Sequence, residues 1–392
     1  MAHTPASAGA GSSSSNVRGR LVGLSWAHLL NDGASNYLPG VLPAVLTNLD
    51  EPVRLAGVLV TALTIGQILQ PITGRIADRL GGRSLVIVGL TMTSVGGGLL
   101  GVIGSTWMLI ILLLLIGTGN AMFHPQSLAG VRSMLAGRTG LLTSAYLVGG
   151  ELGRGLWPTA ASLIVAHAGL VNLWILALPG VITACFVPRW MPSLPAKPNR
   201  GRAIKLRRHA RPLLQLVTYQ SVRTVTIYSF VTFIPILWDQ RGGGLVGGAS
   251  IITTMTTVGV IGNLGGGQIS DKLGRRPVLV GSAVATSALI VPVAYLGAPW
   301  VWPVAAVLGI AIFLTASTTV LIGQDIFPEN RSMGSGLALG FSNGLGASLV
   351  FVISLGVGSH VLLVFWLLAG LGLLSVVVAL RMDKILMHHA NT

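Results

Sequence analysis

The sequence predicts an all-α membrane protein with twelve transmembrane helices arranged as two six-helix halves of the same orientation. Three observations carry that expectation. The 392 residues are 52% hydrophobic and only 9% charged, with a mean hydropathy of +0.77, whereas soluble domains carry about 25% charged residues. Apolar runs of ~20 residues, broken by short polar stretches, have the length of membrane-crossing helices. Strands of a membrane barrel would instead alternate polar and apolar residues. Finally, the second half of the chain repeats the first. The 53 glycines suit such a bundle, because small residues let membrane helices approach closely.

Taken in order, a Ser/Gly/Ala-rich tail (1–20) is expected to be unstructured. The first span, near 21–46, is too long for a signal-peptide core and is expected to be retained. Spans near 55–77, 84–104, 107–130, 139–165 and 169–190 complete an N-terminal half over 21–190. The linker expected over 191–212 contains KPNRGRAIKLRRHARP, a basic segment suited to lying against anionic headgroups. Spans near 213–238, 247–270, 277–297, 300–325, 333–356 and 360–381 form a C-terminal half over 213–382, followed by a tail over 383–392. Trp26, Trp107, Trp190, Trp238, Trp300 and Trp302 fall near span ends, where amphipathic rings collect.

The net charge of +15 does not describe a nucleic-acid surface, because the basic residues sit at the ends of apolar runs. Of the 25, only Arg54 and Arg241 fall in segments on the side away from the termini, and Arg154 and Arg223 fall within spans. By the positive-inside rule both termini are expected to be cytoplasmic, in a multi-pass protein of the inner membrane. Cys185, the single cysteine, can form no intrachain disulfide. There is no P-loop, no Cys/His metal spacing and no nucleophile elbow. Neither an enzyme nor an ATP-driven pump is expected, nor any cofactor or resident metal. The expected partners are a small-molecule substrate, protons and the bilayer, with the chain a monomer.

The repeat is explicit. GRIADRLGGRS begins at Gly74 and GQISDKLGRRP at Gly267, an offset of 193 residues. At that offset Asp78 matches Asp271, Gly81 matches Gly274 and Arg83 matches Arg276; farther on, Arg138 matches Arg331 and Gly153 matches Gly346. Parallel repeats place a site at their interface near the midplane. The pattern resembles the loop signature of the major facilitator superfamily, carried here by Gly74, Asp78, Arg79, Gly81 and Arg83 and again by Gly267, Asp271, Lys272, Gly274, Arg275 and Arg276. The first copy has Gly82 where a basic residue is usual. The resemblance implies the major facilitator fold, with these residues closing the cytoplasmic side through charge pairs and a helix terminus. HLLND…LPGVLPAVL in the first span, GTGNAMFHPQS in the fourth and LVGGELGRGLWP in the fifth resemble, within that superfamily, the fosmidomycin-resistance-like efflux branch.

Ionisable groups inside spans cost roughly 2.5–3.5 kcal/mol on insertion scales and mark functional positions. His28, Asn31, Asp32, Ser35 and Pro39 recur at i, i+3, i+4, i+7 and i+11, one stripe of a helix of 3.6 residues per turn, expected to face other helices or a cavity. Asp32 lies near mid-depth. Glu151 and Arg154 fall at similar depth in the fifth span, three apart, where they can also neutralise each other. Arg223 lies in the seventh span with Tyr219 and Gln220 within a turn, and His124 in the fourth beside Pro125. In the superfamily these are cavity-lining helices. Asp32 and Glu151 are the expected proton carriers; Arg154, Arg223, His124, His28, Asn31, Tyr219 and Gln220 are expected to bind substrate or supply counter-charge. An Asp32–Arg223 bridge joining the halves is one expected arrangement.

The resulting expectation is a secondary active transporter in which two halves rock by alternating access. The family resemblance implies proton-coupled efflux by antiport of a small amphipathic or anionic compound. Charge arithmetic leaves open a proton-coupled importer, a symporter of an organic anion, because protonating both carboxylates leaves the cluster positive. Two further alternatives are a non-transporting sensor or assembly protein on the same fold, and a transition-metal transporter using His28, Asp32 and His124.

Overall fold

The computed structural model describes residues 10–70, 72–73, 76, 82–134, 139–192, 209–327, 334, 337–358 and 360–382. Helices account for nearly all of them. We number the rods α1 (Ala10–Asn36, continuing as Leu38–Asn48), α2 (Leu55–Ile65 with a 3-10 turn at Gly66–Leu69), α3 (Gly82–Leu99), α4 (Thr106–Met134), α5 (Thr139–Ala168), and α6 (Ala177–Trp190, entered through a 3-10 stretch at Leu170–Leu176). The second half supplies α7 (Ala210–Gln240), α8 (Leu245–Leu273), α9 (Arg275–Tyr295), α10 (Val301–Phe313 and Ala316–Ile326), α11 (a π-turn at Leu337–Phe341, then Ser342–Val357) and α12 (Val361–Arg381). Among the described residues eight helical stretches are long and apolar enough to cross a membrane, and α2 and α11 are shorter apolar helices. The twelve rods match the twelve expected spans.

Two departures from the sequence expectation have local causes. The stretch expected to be unstructured over 1–20 is helical from Ala10 onward; once a packed helix exists, each preceding residue adds one hydrogen bond without a new nucleation cost. Helix α1 also breaks at Tyr37, immediately before Leu38 and Pro39. Pro39 has no amide hydrogen to give to Ser35, and Tyr37 turns inward, where its hydroxyl bonds the Gly97 carbonyl of α3.

The buried apolar residues divide in an informative way. One core runs along the loops away from the chain termini and draws on both halves: Leu38, Val41 and Leu63 pack in the same cluster as Phe233, Ile252 and Val350. Towards the termini it gives way to two separate cores. Leu24, Phe123 and Val187 belong to the first half; Leu216, Leu279 and Phe327 belong to the second. The hydrogen bonds that join the halves, among the described residues, lie on the shared-core side. Gly57 N–H donates to Ser354 Oγ at 3.1 Å, and Ser354 Oγ donates to the Arg54 carbonyl at 2.7 Å. Thr61 reaches the Ala347 carbonyl at 3.1 Å, while Thr253 meets Thr159 Oγ1 and the Gly155 carbonyl, each at 2.6 Å. The molecule is a fork, joined at one end.

Candidate functional site

The site occupies the branch of that fork. Helix α1 brings His28, Asn31, Asp32 and Ser35 there along its polar stripe, all buried, so the stripe faces protein and not lipid. Close approach of α5 makes this possible: a Cβ on Gly153 would lie 2.1 Å from the Leu29 carbonyl oxygen, and one on Gly150 would lie 2.4 Å from His28 Nε2 and 2.8 Å from Asp32 Oδ2. The two glycines leave the volume that the α1 backbone and the Asp32 carboxylate fill.

Asp32 is 1% exposed and both of its carboxylate oxygens are engaged. Oδ1 accepts from His124 Nε2 at 2.9 Å and from Asn31 Nδ2 at 3.1 Å. Oδ2 accepts from Arg154 Nε and Nη2, each at 3.0 Å. His28 Nε2 stands 3.4 Å from the same oxygen. His28 Nδ1 lies 2.9 Å from the Tyr146 carbonyl, which can only accept, so Nδ1 carries a hydrogen. The neutral ring therefore presents a lone pair at Nε2, and only the cationic ring can donate to Asp32. A buried charge is tolerable when it is paired and hydrogen-bonded, and Asp32 is both.

Arg154 links the carboxylates. Its Nη2 is 3.6 Å from Glu151 Oε1, while Glu151 Oε2 is buried without a hydrogen-bond partner among the described residues. Arg154 is 38% exposed and His124 25% exposed; the side of the cluster they present is open, while Asp32 behind them is sealed. The ring of Tyr146 stacks on His28 at 4.4 Å, and its hydroxyl lies 2.5 Å from Ser127 Oγ. Asn120 extends the polar layer by donating to Ser35 Oγ at 2.8 Å.

Arg223 takes a different arrangement from the expected bridge. Asp32 is satisfied inside its own half by Arg154, and Arg223 Nε donates to the Ile312 carbonyl at 2.7 Å. That carbonyl is freed where α10 breaks between Phe313 and Ala316. The guanidinium carbon lies 5.6 Å from the Phe313 ring centre, within electrostatic reach of Glu151 and Arg154. Tyr219 is turned toward α9, its hydroxyl donating to the Leu279 carbonyl at 2.9 Å. Gln220 is buried, with neither amide atom partnered among the described residues.

Of the loop signature, Gly74, Asp78, Arg79 and Gly81 lie outside the described residues. Arg83 donates through Nε and Nη2 to the Met191 carbonyl just past α6, at 3.1 and 2.8 Å, and Arg276 Nη2 donates to the Met382 carbonyl just past α12, at 2.8 Å. Each ties the start of the third helix of its half to the end of the sixth. Arg275 pairs with Asp325 at 2.7 Å; Gly274, with φ of +87°, turns the chain from α8 into α9; Gly267 approaches Ser317 of α10; Asp271 and Lys272 are exposed. The bonds of Arg83 and Arg276 and the Arg275–Asp325 pair each lie within one half.

Sequence reading alone misses Asn120, Tyr146 and Tyr228. Asn120 precedes His124 by one helical turn, a signal that could have found it. Tyr146 and Tyr228 carry no charge and give no such signal, yet Tyr228 lies within electrostatic reach of Arg154, Asp32 and Glu151. The donor atoms of His28, Asp32 and His124 all lie within 4.8 Å of one another, a spacing open to a divalent cation, but Arg154 already brings positive charge to the same carboxylate oxygen.

A twelve-helix bundle of two repeated halves, with ionisable side chains clustered at the branch between them, is the architecture of a membrane transporter. The chain belongs to the Major Facilitator Superfamily, whose family model matches residues 24–351. It is 27% identical over 358 residues to the fosmidomycin resistance protein of Escherichia coli (strain K12), covering 86% of this chain and 87% of that protein. It is 26% identical over 348 residues to the uncharacterized MFS-type transporter YfnC of Bacillus subtilis (strain 168), covering 83% of each. Among solved structures the nucleoside transporter NupG superposes with a TM-score of 0.72 at 15% identity, over 95% of this chain and 100% of that one. A bacterial homologue of the human lysosomal transporter Spinster, inward-facing and unoccupied, gives 0.71 at 14% identity over 95% and 96%. These structural likenesses concern the fold.

Proposed function

We propose that the protein is a proton-coupled exporter of the inner membrane, with both termini cytoplasmic, that exchanges protons for a small amphipathic or anionic compound. The observation that carries this reading is the division of labour between the two carboxylates. Asp32 is fully engaged and anchors Arg154 and His124. Glu151, beside it, has one buried oxygen with no partner. A proton on that oxygen, or a hydrogen-bond donor of the substrate, satisfies it one at a time, and such exclusion is what antiport requires. The open faces of Arg154 and His124 meet the polar end of the substrate, and Arg223 supplies counter-charge from the opposite half.

The relative named for fosmidomycin resistance supports export. The shared core and inter-half hydrogen bonds at the far loops support a state closed on that side, from which the fork rocks to load and release; the loop signatures are the matching closure at the cytoplasmic end. A second reading has its own observation. Because two N–H groups of Arg154 lie on Asp32, protonating Asp32 frees a guanidinium for an anion, and proton and anion then travel together as in a symporter.

Inverted membrane vesicles decide between them. With the interior acidified, an antiporter accumulates a labelled phosphonate, organic anion or lipophilic cation, and Glu151→Gln retains binding but loses the response to the gradient. Accumulation driven only by the opposite gradient establishes the symporter. Transport indifferent to gradients of either sign overturns proton coupling altogether.

A further inference from the structure

The second half contains a half-buried cation, Arg223, with no carboxylate partner among the described residues. Among the described residues no acidic group forms an ion pair with Arg223, in contrast to Arg154 and Arg275. Its hydrogen bond among those residues goes through Nε to the Ile312 carbonyl, which leaves the terminal N–H groups of the guanidinium for something else. Beside it is a small, partly open cavity of about 20 Å³ bordered by α7, α9, α10 and α12, whose polar lining is Tyr219, Arg223, Thr226, Ser282, Thr286 and Ser375. That is room for one body the size of a water molecule or a halide.

The lining holds no carboxylate, and its uncommitted donors are the Arg223 terminal N–H groups and the hydroxyls of Thr286 and Ser375. Tyr219, Thr226 and Ser282 donate their hydroxyl hydrogens to backbone carbonyls at 2.9, 2.8 and 2.6 Å. Thr286 and Ser375 are buried and make no side-chain hydrogen bond to another described residue, so their hydroxyls are available to the cavity together with the guanidinium. A cation taken out of water requires a compensating charge, and here two free hydroxyls and an arginine converge on a space that fits a monatomic anion.

We propose that this cavity is a halide site, in which a chloride-sized anion held by Arg223, Thr286 and Ser375 is the resident counter-ion of the second half. The proposal deepens the counter-charge role given to Arg223 above, but the site lies behind α7 within one half and not between the halves. The ion neutralises the core of the half and fixes the guanidinium against the α10 break, so that this half rocks as an electrically neutral body.

The test uses the full-length protein in detergent at constant ionic strength, with gluconate replaced stepwise by chloride or bromide. The expected result is a saturable rise in Tm of several degrees, as for any ligand that binds only the folded state. Arg223→Gln removes the rise, and Thr286→Val combined with Ser375→Ala raises the half-saturating chloride concentration at least tenfold. If Arg223→Gln fails to fold, crystals of the unaltered protein soaked in bromide provide the second measurement: an anomalous peak beside Arg223 supports the site. An ordered water without anomalous signal at that position, or a Tm rise of equal size in gluconate and chloride, overturns it. Proton-driven transport that persists without any halide leaves the exporter reading standing while the halide response alone is judged.

Discussion

The two halves share a fold and a repeat, yet at the branch of the fork they handle charge in opposite ways. In the first half Asp32, Glu151, Arg154, His28 and His124 crowd into one contiguous cluster. At the offset of 193 residues, Gly150 corresponds to Asn343 and Asn31 to Thr224. Thr224 Oγ1 donates to Asn343 Oδ1 at 2.8 Å, a neutral hydrogen bond, and the positions of Asp32, Glu151 and Arg154 are taken by Val225, Gly344 and Ala347. Arg223 is the exception, and its hydrogen bond among the described residues goes to a carbonyl instead of a carboxylate. On the proposed function, one half is equipped to change its protonation and the other to remain constant. Duplication supplied the scaffold, and a few substitutions at its branch separated the roles.

The strongest way to break that comparison is to neutralise the anchor. Asp32→Asn leaves Arg154 and His124 facing a neutral amide, and removing one partner of a buried pair costs about 3–5 kcal/mol. Proton-driven transport is expected to fall ~100-fold or more, equivalent to about 2.7 kcal/mol of barrier, with a matching drop in Tm. Arg223→Gln orphans no protein carboxylate, and its loss of Tm in halide-free buffer is expected to be less than half as large. Equal losses would mean that the halves are not specialised as described.

The glycine that makes room for the cluster gives the next largest effect. In Gly150→Ala the new methyl group lies 2.4 Å from His28 Nε2, and overpacking of this kind costs typically ~1–3 kcal/mol. Displaced by it, His28 and Asp32 shift against Arg154, and transport is expected to fall about tenfold. Asn343→Ala in the other half removes one neutral hydrogen bond worth ~1 kcal/mol and is expected to leave the proton dependence of transport unchanged. Flux measured against proton gradient in the two variants distinguishes displacement of the cluster from general loosening.

These particular residues also show what the sequence makes legible and what it hides. The twelve spans, the repeat and the stripe on α1 follow from hydropathy and helical spacing, which are local properties. That His28, Asp32, His124 and Arg154 meet is foreseeable only in outline, because charged residues in lipid must find partners but the sequence does not say which. Arg223 illustrates the gap. Its charge invites pairing with Asp32, and only the break in α10, which frees the Ile312 carbonyl, shows why it settles elsewhere. Likewise the helical run from Ala10 to Gly19 lies in a Ser-rich composition that ordinarily signals disorder, and it is ordered by continuity with a packed helix.

A smaller effect is expected where the loop signatures differ. Arg275 pairs with Asp325, and at the repeat offset those positions are Gly82 and Arg132. In sequence register an arginine at 82 is matched with a like charge, and a Cβ at 82 would also lie 2.6 Å from Gln126 Oε1. Gly82→Arg alone is expected to lower Tm, and adding Arg132→Asp to restore it, with a coupling of about 1 kcal/mol for a pair that is partly exposed. Four-variant thermal unfolding measures the coupling; a value near zero would show that the pair is specific to its surroundings in the second half.

The smallest expected difference lies between the last arginines of the two signatures. Arg83 and Arg276 perform one task, binding a carbonyl just beyond the last helix of their half, where the helix dipole concentrates negative potential. Arg83 makes two hydrogen bonds to Met191 and Arg276 one to Met382. Charge-assisted bonds contribute about 1.5–3 kcal/mol when lost without replacement, so Arg83→Gln is expected to cost more than Arg276→Gln, by roughly 1 kcal/mol. Both substitutions lie far from the branch, and neither removes a group that exchanges protons. Each should therefore lower Tm while the proton dependence of transport keeps its shape. If Arg276→Gln instead alters that dependence, charge at the terminus of the second half is read by the cluster in the first, and the halves are coupled through more than their shared core.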